Sequence, residues 1–338
     1  MRWVVAFAAV SLALLSGPVP AWAAPAPEPL CTMKDSRIGE LSGLVSDGSK
    51  LYAINDGGTK AQVFVLGRDC KVQKVLSDKT DPFDVEDLAR TPDGTLWLSD
   101  TGDNLKGRLT VALLEMSPAG KVTLHRLTYP DGQHDTEALL MDKSGTPYLI
   151  TKDVLGEARV YRPSGPLASP GPTNLEKVGS LKIETTDTQG GPVGSIGSVL
   201  VTGAASMADG SVVALRTYTD AYVYPVPDGD LLAALQRNPV RIPLPGEKQG
   251  EAIAFDPDGT LISGSEGVGQ PLRTVRGAAA LAAQSGAPAE GTTSTGAGAS
   301  SGSGDGAGLP VLPAAGITLA VVGVGWFGFS RLRRRSRR

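Results

Sequence analysis

The chain has 338 residues, of which 41% are hydrophobic and 20% are charged, and its formal net charge is −3. All 35 acidic residues lie in the middle of the chain, whereas seven of the 32 basic residues lie near its two ends. The middle is therefore clearly acidic, which argues against nucleic acid as a partner and against docking on anionic lipid.

The N-terminus has the pattern of a secretory signal peptide over residues 1–23. Arg2 gives a basic start, residues 3–15 are almost entirely apolar, and residues 21–23 (Ala-Trp-Ala) match a small-x-small cleavage site. An uncleaved membrane anchor is the alternative, but the apolar run is short for a span. We therefore expect cleavage after Ala23 and a folded part outside the cytoplasm.

The C-terminus has the pattern of a tether followed by a membrane anchor. Residues 285–310 are mostly Gly, Ala, Ser and Thr, a composition that predicts a flexible linker. Residues 311–330 are uncharged and long enough for one transmembrane helix. Residues 331–338 carry six arginines, which favours a cytoplasmic tail. The predicted localisation is the cell membrane, with a single span and an extracellular N-terminal domain.

A second interpretation of this end comes from residues 312–316 (Leu-Pro-Ala-Ala-Gly). They resemble a sortase sorting signal of the Leu-Pro-x-Thr-Gly type, with Ala315 in place of the Thr that forms the link to the sortase. This resemblance implies attachment to the cell wall as the alternative to a membrane helix.

The middle of the chain contains an internal repeat. Five segments each have a Gly eight positions after their opening residue, and a short apolar run follows each Gly. Strand, tight turn and second strand is the structure that this pattern predicts. The segments open at Glu40, Glu86, Glu137, Thr202 and Glu251, with spacings of 46, 51, 65 and 49 residues.

Units of this size with about four strands each are typical of propeller blades. We therefore predict an all-β fold, a β-propeller over residues 29–277. Five blades are expected, with residues 30–38 supplying the missing outer strand of the last one. The long gap before Thr202 predicts an inserted loop, and a sixth, degenerate blade is the alternative.

In a propeller the first strand of each blade lines the central channel. The opening residues Glu40, Glu86, Glu137 and Glu251 are therefore expected to converge on one face, with Thr202 in the fifth position. The loops after the second strands should add polar groups on the same face: Asn55, Asp56, Asp100, Asp103, Asn104, Lys152, Asp153, Arg216, Asp220 and Glu266.

Four converging carboxylates repel one another unless a positive charge offsets them. Ca²⁺ or another divalent cation is the cofactor that such oxygen ligands favour. The alternative is a structural ring, neutralised by Lys152, Arg216 and backbone N–H groups. Direct acid–base catalysis is the third interpretation.

The two cysteines, Cys31 and Cys70, lie in the part of the chain that is predicted to be exported. Thiols oxidise in that compartment, so a disulfide between them is expected.

Five motifs stand out within residues 38–276: residues 84–88 (DVEDL), 100–104 (DTGDN), 134–139 (HDTEAL), 214–220 (ALRTYTD) and 249–254 (QGEAIA). With these motifs the chain resembles a group of secreted actinobacterial propellers of unassigned activity, which are similar to the esterase-like phytase propellers. More distantly it resembles gluconolactonase-type propellers, where a Glu at such a position binds a divalent metal. The resemblance implies the propeller fold and a metal role for the glutamates.

Two functions remain open at this point. The leading hypothesis is a binding module at the cell surface for an extracellular ligand or protein, because the common motifs for nucleophilic, zinc and nucleotide chemistry are missing. The alternative is a divalent-metal-dependent hydrolase of phosphoester, ester or lactone substrates.

Overall fold

The structure is a computed structural model that describes residues 24–285. The predicted signal peptide, the linker beyond Ser285, the membrane helix and the basic tail lie outside the described residues. Within residues 24–285, no helix has both the length and the apolar character that a membrane span requires.

The fold is all-β with propeller-like sheets, as predicted. The strands of the described part are β1 (Glu28–Thr32), β2 (Leu41–Ser46), β3 (Leu51–Asn55), β4 (Ala61–Leu66), β5 (Val72–Asp78), β6 (Val85–Arg90), β7 (Leu96–Asp100), β8 (Val111–Met116), β9 (Val122–Thr128), β10 (Thr136–Met141), β11 (Pro147–Thr151), β12 (Glu157–Pro163), β13 (Thr173–Lys182), β14 (Val201–Ser206), β15 (Val212–Thr217), β16 (Asp220–Pro225), β17 (Val240–Pro243), β18 (Gly250–Phe255), β19 (Leu261–Ser265) and β20 (Pro271–Val275). Two short helices, α1 (Leu231–Leu235) and α2 (Ala278–Ser285), and a 3-10 helix (Gly194–Ser198) complete the list.

Strand pairing divides these strands into antiparallel units of four. Unit 1 is β2–β5, unit 2 is β6–β9, unit 3 is β10–β13 and unit 4 is β14–β17, while unit 5 is β18–β20 with β1 on its outer edge. A short parallel contact between β9 and β13 joins units 2 and 3 into one eight-stranded sheet. The first strands contact one another in a closed cycle, β2 with β6, β6 with β10, β10 with β14, β14 with β18 and β18 with β2.

The N-terminal strand β1 links the two ends of the fold. It pairs with β20 and so becomes the fourth strand of unit 5. The Cys31–Cys70 disulfide, which the sequence predicts, then joins β1 to the turn between β4 and β5 of unit 1. An outer strand before unit 1 was expected in residues 30–38, and it lies slightly earlier, at Glu28–Thr32.

The apolar cores lie between neighbouring units. Strand β8 shows how this arises, because successive residues of a strand point to opposite faces. Val111 and Leu113 pack against unit 3, whereas Ala112 and Leu114 pack against unit 1. A strand that is covered on both faces is apolar throughout rather than alternating.

The centre of the molecule is crowded, since the first strands meet there. A Cβ at Gly43 would lie 2.6 Å from the backbone N of Leu88, so only glycine permits this approach of β2 to β6. Next to it lies the fully buried carboxyl group of Asp87. It accepts N–H bonds from Leu139 of β10 (2.7 Å) and Ala204 of β14 (3.0 Å).

The long gap before β14 contains no strand, only the 3-10 helix, so the inserted loop is the better of the two predictions for residues 183–200. The loop is fastened to unit 4. The hydroxyls of Thr186 and Thr188 donate to the buried Asp220 carboxylate (2.7 and 2.8 Å), and the Tyr218 N–H donates to the carbonyl of Gly197 (3.2 Å). Asp220 is therefore an anchor for this loop.

The disulfide generates the first testable prediction. The double variant Cys31→Ser, Cys70→Ser should lose about 3–4 kcal/mol of unfolding free energy, the chain-entropy value for a sequence separation of 39 residues. Urea unfolding followed by tryptophan fluorescence measures the loss. Reduced wild type should match the double variant. Equal stability of the double variant and the oxidised wild type would contradict the prediction.

Candidate functional site

The opening residues of four units lie at β-bulges. The strand register shifts at Glu86 in β6, Glu137 in β10, Thr202 in β14 and Glu251 in β18. A bulge leaves its extra residue out of the ladder and changes the direction of the side chain. All four side chains are buried at the end of the units where the first strands begin.

Glu40 differs from the other three glutamates. The register shift of β2 lies between Leu41 and Leu44, so the bulge of unit 1 contains Ser42 and Gly43, and Glu40 precedes the strand. In unit 1, Gly48 lies two residues after Ser46, the last residue of β2, whereas in unit 2 Gly94 lies four residues after Arg90, the last residue of β6. The spacing to Gly48 therefore placed Glu40 in the wrong position of the repeat.

The position that Glu40 does occupy is defined by a backbone bond. In three units the carbonyl of this position accepts the N–H of the first residue after the second strand. Glu40 therefore corresponds to Asp135 and Gln249, two residues before a bulge. The bonds are Asp56 N–H to Glu40 O, Lys152 N–H to Asp135 O and Glu266 N–H to Gln249 O, each 2.9 Å.

Two overlapping groups of carboxylates form the acidic centre of this face. The first is Asp56, Asp84 and Glu86, and the second is Glu86, Asp135 and Glu137. Within each group one carboxylate oxygen per residue lies within 4.8 Å of the others, a spacing that suits a metal ion. We call these five residues the acidic cluster. Glu86 belongs to both groups.

Asp84 is held in place by Asp100. The Asp100 carboxylate accepts the N–H groups of Phe83 (3.1 Å) and Asp84 (2.8 Å), and Arg108 lies 3.1 Å from it. Burial raises the pKa of Asp100, and the positive charge of Arg108 opposes this shift. Asp100 therefore shapes the loop before β6, a supporting role.

A glycine makes room for the carboxylates of unit 2. An added Cβ at Gly102 would collide with the carboxylate of Glu86 and would lie 2.6 Å from Oδ2 of Asp84. Any side chain at this position would displace both groups. The Asp-Thr-Gly-Asp-Asn run that the sequence singles out thus contributes a glycine to the site.

Another residue of that run, Asp103, orients Asp135. The Asp103 N–H donates to Oδ1 of Asp135 (2.8 Å), while the Asp103 carboxylate accepts the N–H groups of Gly107 (2.9 Å) and Arg108 (2.8 Å). Asn104 is half-buried in the same loop. In unit 1, Asn55 has a comparable task, because its Oδ1 accepts the Glu40 N–H (3.2 Å).

Lys152 contributes a positive charge to the cluster. Its Nζ contacts Oε1 of Glu137 and lies 3.5 Å from Oδ2 of Asp135. The second oxygen of Glu137, Oε2, is buried and has no hydrogen-bond partner within residues 24–285. Lys152 thus places one ammonium group beside Glu137 and Asp135, two of the five carboxylates of the acidic cluster.

Arg216 was expected to neutralise the glutamates, and the structure gives it another partner. Its guanidinium bonds to Oε2 of Glu247 (2.7 Å) and to the carbonyls of Ala252 (2.9 Å) and Gly264 (3.1 Å). This buried ion pair joins unit 4 to unit 5. Glu247 lies outside the repeat, so no spacing signal marked it.

Tyr218 connects the acidic cluster to unit 5. Burial, together with the negative charges of Glu251, Glu266, Glu86 and Asp135, raises its pKa well above the ordinary value. Its hydroxyl therefore stays protonated and can donate a hydrogen bond. Oε1 of Glu251 accepts from Gln249 (3.2 Å), while Oε2 is buried without a hydrogen-bond partner among the described residues.

Two members of the cluster, Asp84 and Asp135, were missed from the sequence. Each lies two residues before a bulged glutamate, so the signal was present as a repeated Asp-x-Glu, at 84–86 and 135–137.

Comparisons with known proteins support the resemblance. Residues 36–146 match the family model "Phytase-like: Esterase-like activity of phytase". No curated protein gives a significant match. Similar solved structures include virginiamycin B lyase from Staphylococcus aureus (11% identity, TM-score 0.35, 70% of this chain and 66% of that chain). Kuenenia stuttgartiensis hydrazine synthase is similar with 14% identity and a TM-score of 0.34, over 75% of this chain and 59% of that chain. A protein named as a putative gluconolactonase is similar with 13% identity and a TM-score of 0.40, over 76% of this chain and 93% of that chain. The similar region thus spans less than two thirds of virginiamycin B lyase and of hydrazine synthase.

Lys152 generates the second prediction. In the variant Lys152→Met, the buried carboxylates of Glu137 and Asp135 lose the ammonium group that lies beside them. We expect a loss of about 3–5 kcal/mol of unfolding free energy, measured by urea unfolding at neutral pH with chelator present.

The matched control is Lys182→Met. Lys182 pairs with Glu184 at the surface, where both side chains are largely exposed, so its loss should change stability by less than about 1 kcal/mol. Equal stability of wild type and Lys152→Met would show that Lys152 does not offset the buried carboxylates.

Proposed function

We propose that this protein is an extracytoplasmic β-propeller that binds a divalent cation, with Ca²⁺ the best fit, in the acidic cluster. We further propose that it hydrolyses a phosphoester, ester or lactone bond there. The observation that carries the proposal is the position of Glu86, which completes two groups of carboxylates at once. The matched family model, whose description names an esterase-like activity, supports the same class of reaction.

The residues present fit a hard cation. All five side chains of the cluster offer carboxylate oxygens, the ligands that Ca²⁺ prefers. The buried Oε2 of Glu137 has no hydrogen-bond partner within the described part, and a buried acceptor without a partner is costly. A cation bound there would supply that partner and reduce the repulsion that Lys152 offsets only in part.

The proposed architecture is a five-bladed ring. The closed cycle of five first strands supports it, as does the addition of β1 to unit 5. The lack of a strand between β13 and β14 in the described residues also supports five blades, since the alternative placed a sixth, degenerate blade in that segment.

The proposed location is outside the cell membrane. The Cys31–Cys70 disulfide is consistent with an oxidising compartment. Helix α2 packs at the end opposite the acidic cluster, where the Ala279 N–H donates to the carbonyl of Gly259 in the turn after β18 (3.1 Å). Helix α2 therefore begins on the side of the fold away from the acidic cluster.

The bound cation would polarise the carbonyl or phosphoryl oxygen of the substrate. Glu251 is the proposed general base, because its Oε2 is buried close to Tyr218 and has no hydrogen-bond partner among residues 24–285. The protonated Tyr218 hydroxyl would donate a hydrogen bond to the substrate oxygen, where negative charge develops.

The bond changes for an ester are as follows. The oxygen of a water molecule bonds to the acyl carbon while Glu251 takes one of its protons. The bond between the acyl carbon and the alkoxy oxygen then breaks, and Glu251 returns the proton to that oxygen. The products are one carboxylic acid and one alcohol, and Glu251 is regenerated.

A binding module without turnover is the second candidate. The ion pair between Lys152 and Glu137 favours it, because an ammonium group already occupies part of the space between the carboxylates. Such a module would bind an extracellular ligand or protein on the same face.

Cation binding has a direct test by thermal unfolding of the full chain. Wild type should melt at a higher temperature with Ca²⁺ than with chelator, because a ligand at a hundred times Kd stabilises by about 2.7 kcal/mol. In Gly102→Ala the new methyl group displaces Glu86 and Asp84, so the effect of Ca²⁺ should largely disappear.

The control for this test is Gly107→Ala in the same loop. A Cβ at Gly107 meets no atom within 4 Å, so this variant should keep the full response to Ca²⁺. A wild-type melting temperature that neither Ca²⁺ nor chelator changes would remove the cation from the proposal.

Turnover is tested with p-nitrophenyl phosphate, p-nitrophenyl esters and aryl lactones. We expect hydrolysis of at least one class, its loss on chelation, and recovery when Ca²⁺ is returned. Glu86→Gln should lower kcat/KM by about a hundredfold or more, because it removes a ligand common to both groups. The exposed Glu157→Gln should match wild type. Cation binding without turnover of any class would favour the binding module.

A further inference from the structure

The exposed large hydrophobic side chains of the described part all lie on one face. They occupy loops before a first strand or after a second strand, at the end of the units that carries the acidic cluster. They are Phe83 (47% exposed), Leu105 (64%), Leu109 (80%), Val154 (56%), Leu155 (83%) and Val268 (52%). Exposed apolar side chains that collect on the face of a polar site mark a place where a ligand can bind.

Five of these side chains belong to units 2 and 3, which also contribute most of the acidic cluster. We call Phe83, Leu105, Leu109, Val154 and Leu155 the apolar rim. Val268 is separate, since it lies in the loop between β19 and β20 of unit 5.

The rim is joined to the cluster through backbone and side-chain contacts. Phe83 directly precedes Asp84, and the guanidinium carbon of Arg108 lies 4.6 Å from the centre of the Phe83 ring. The loop that carries Leu105 begins at Asp103, whose N–H binds Asp135. These contacts join the loops of Phe83 and Leu105 to Asp84 and Asp135 of the acidic cluster.

Hydrogen-bonded turns hold the rim side chains outward. The Lys106 N–H donates to the carbonyl of Asp103 (2.7 Å), which closes the turn that presents Leu105. The Leu155 N–H donates to Oδ1 of Asp153 (2.9 Å), and the Gly156 N–H donates to the Asp153 carbonyl (3.0 Å). The exposure of these leucines is therefore set by fixed turns.

The charge of the same face limits which ligand fits the rim. Besides the cluster, Glu251 and Glu266 add negative charge beside Tyr218. Of the nearby cations, Lys152 is engaged with Glu137 and Arg108 with Asp100, while Lys106 in the loop of Leu105 is exposed. The carboxylates of this face outnumber these three cations. A phosphorylated substrate would meet net repulsion, whereas an uncharged group would not.

We propose that the apolar rim binds the acyl or aryl group of an uncharged carbonyl ester or lactone, while the ester group lies over the acidic cluster. This inference rests on the proposed function and selects one of its three substrate classes. Burial of an exposed leucine side chain contributes enough free energy for roughly a tenfold gain in affinity.

A binding experiment tests the rim independently of turnover. Equilibrium dialysis of the full chain compares N-octylacetamide, an uncharged amide with an apolar chain, with N-methylacetamide. Wild type should bind the octyl compound at least tenfold more tightly. The double variant Leu105→Ser, Leu155→Ser should lose roughly tenfold or more of that affinity, and its melting temperature should stay close to that of wild type.

The matched control is Val268→Ser, an exposed apolar residue of the same face but of unit 5, and it should bind like wild type. Loss in the rim variant alone supports the rim even if no ester is hydrolysed, in which case only the proposed hydrolysis fails. Equal binding by wild type, rim variant and control overturns the rim even if wild type hydrolyses esters.

Kinetics give the second measurement. We expect kcat/KM of wild type to be higher for p-nitrophenyl octanoate than for p-nitrophenyl acetate or p-nitrophenyl phosphate. The rim variant should lose this preference for octanoate, because its kcat/KM should fall much further for octanoate than for acetate. A preference of wild type for the phosphate would overturn the proposed substrate class.

Discussion

The structure depends on one buried carboxyl group at its centre. Asp87 has no exposed surface, and its two oxygens accept the N–H groups of Leu88, Leu139 and Ala204, so one side chain ties together β6, β10 and β14. Burial raises its pKa well above the ordinary value, while the three N–H donors oppose the shift. Asp87 directly follows the bulged Glu86. By holding the centre together, Asp87 therefore also fixes the position of Glu86, which belongs to both carboxylate groups.

The carboxylates of the acidic cluster are held together by the fold against their mutual repulsion. Bulges take Glu86 and Glu137 out of the strand ladder, and buried loop contacts fix Asp84 and Asp135 beside them. The positive charges of the region are divided unevenly. Lys152 serves the cluster, whereas Arg216 is used by Glu247 at the contact between units 4 and 5. This division leaves the cluster strongly acidic, the condition that favours a divalent cation.

Much of the fold was predictable, because it follows from local patterns. Each Asp-Gly or Ser-Gly turn between two apolar runs predicted a hairpin, and β6–β7, β10–β11 and β18–β19 lie where those runs are. The disulfide was predicted because the chain has only two cysteines and both lie in the part that is predicted to be exported. The residues of the candidate site were harder to predict from the sequence. The spacing to Gly48 misplaced Glu40 by two positions, because the turn Gly of unit 1 follows its strand two residues earlier than in unit 2. The partner of Arg216 lies 31 positions away, outside the repeat.

The sequence by itself determined the all-β class, the repeat and the end of the units at which acidic residues collect, because strand alternation and turn chemistry are local properties of the chain. Tertiary structure decided which carboxylates meet. Asp56, Asp84 and Asp135 join Glu86 and Glu137 only because bulges, the space beside Gly102 and contacts between units 1, 2 and 3 bring them within reach. Such proximity depends on strand register and on loop conformations, which a linear pattern does not specify.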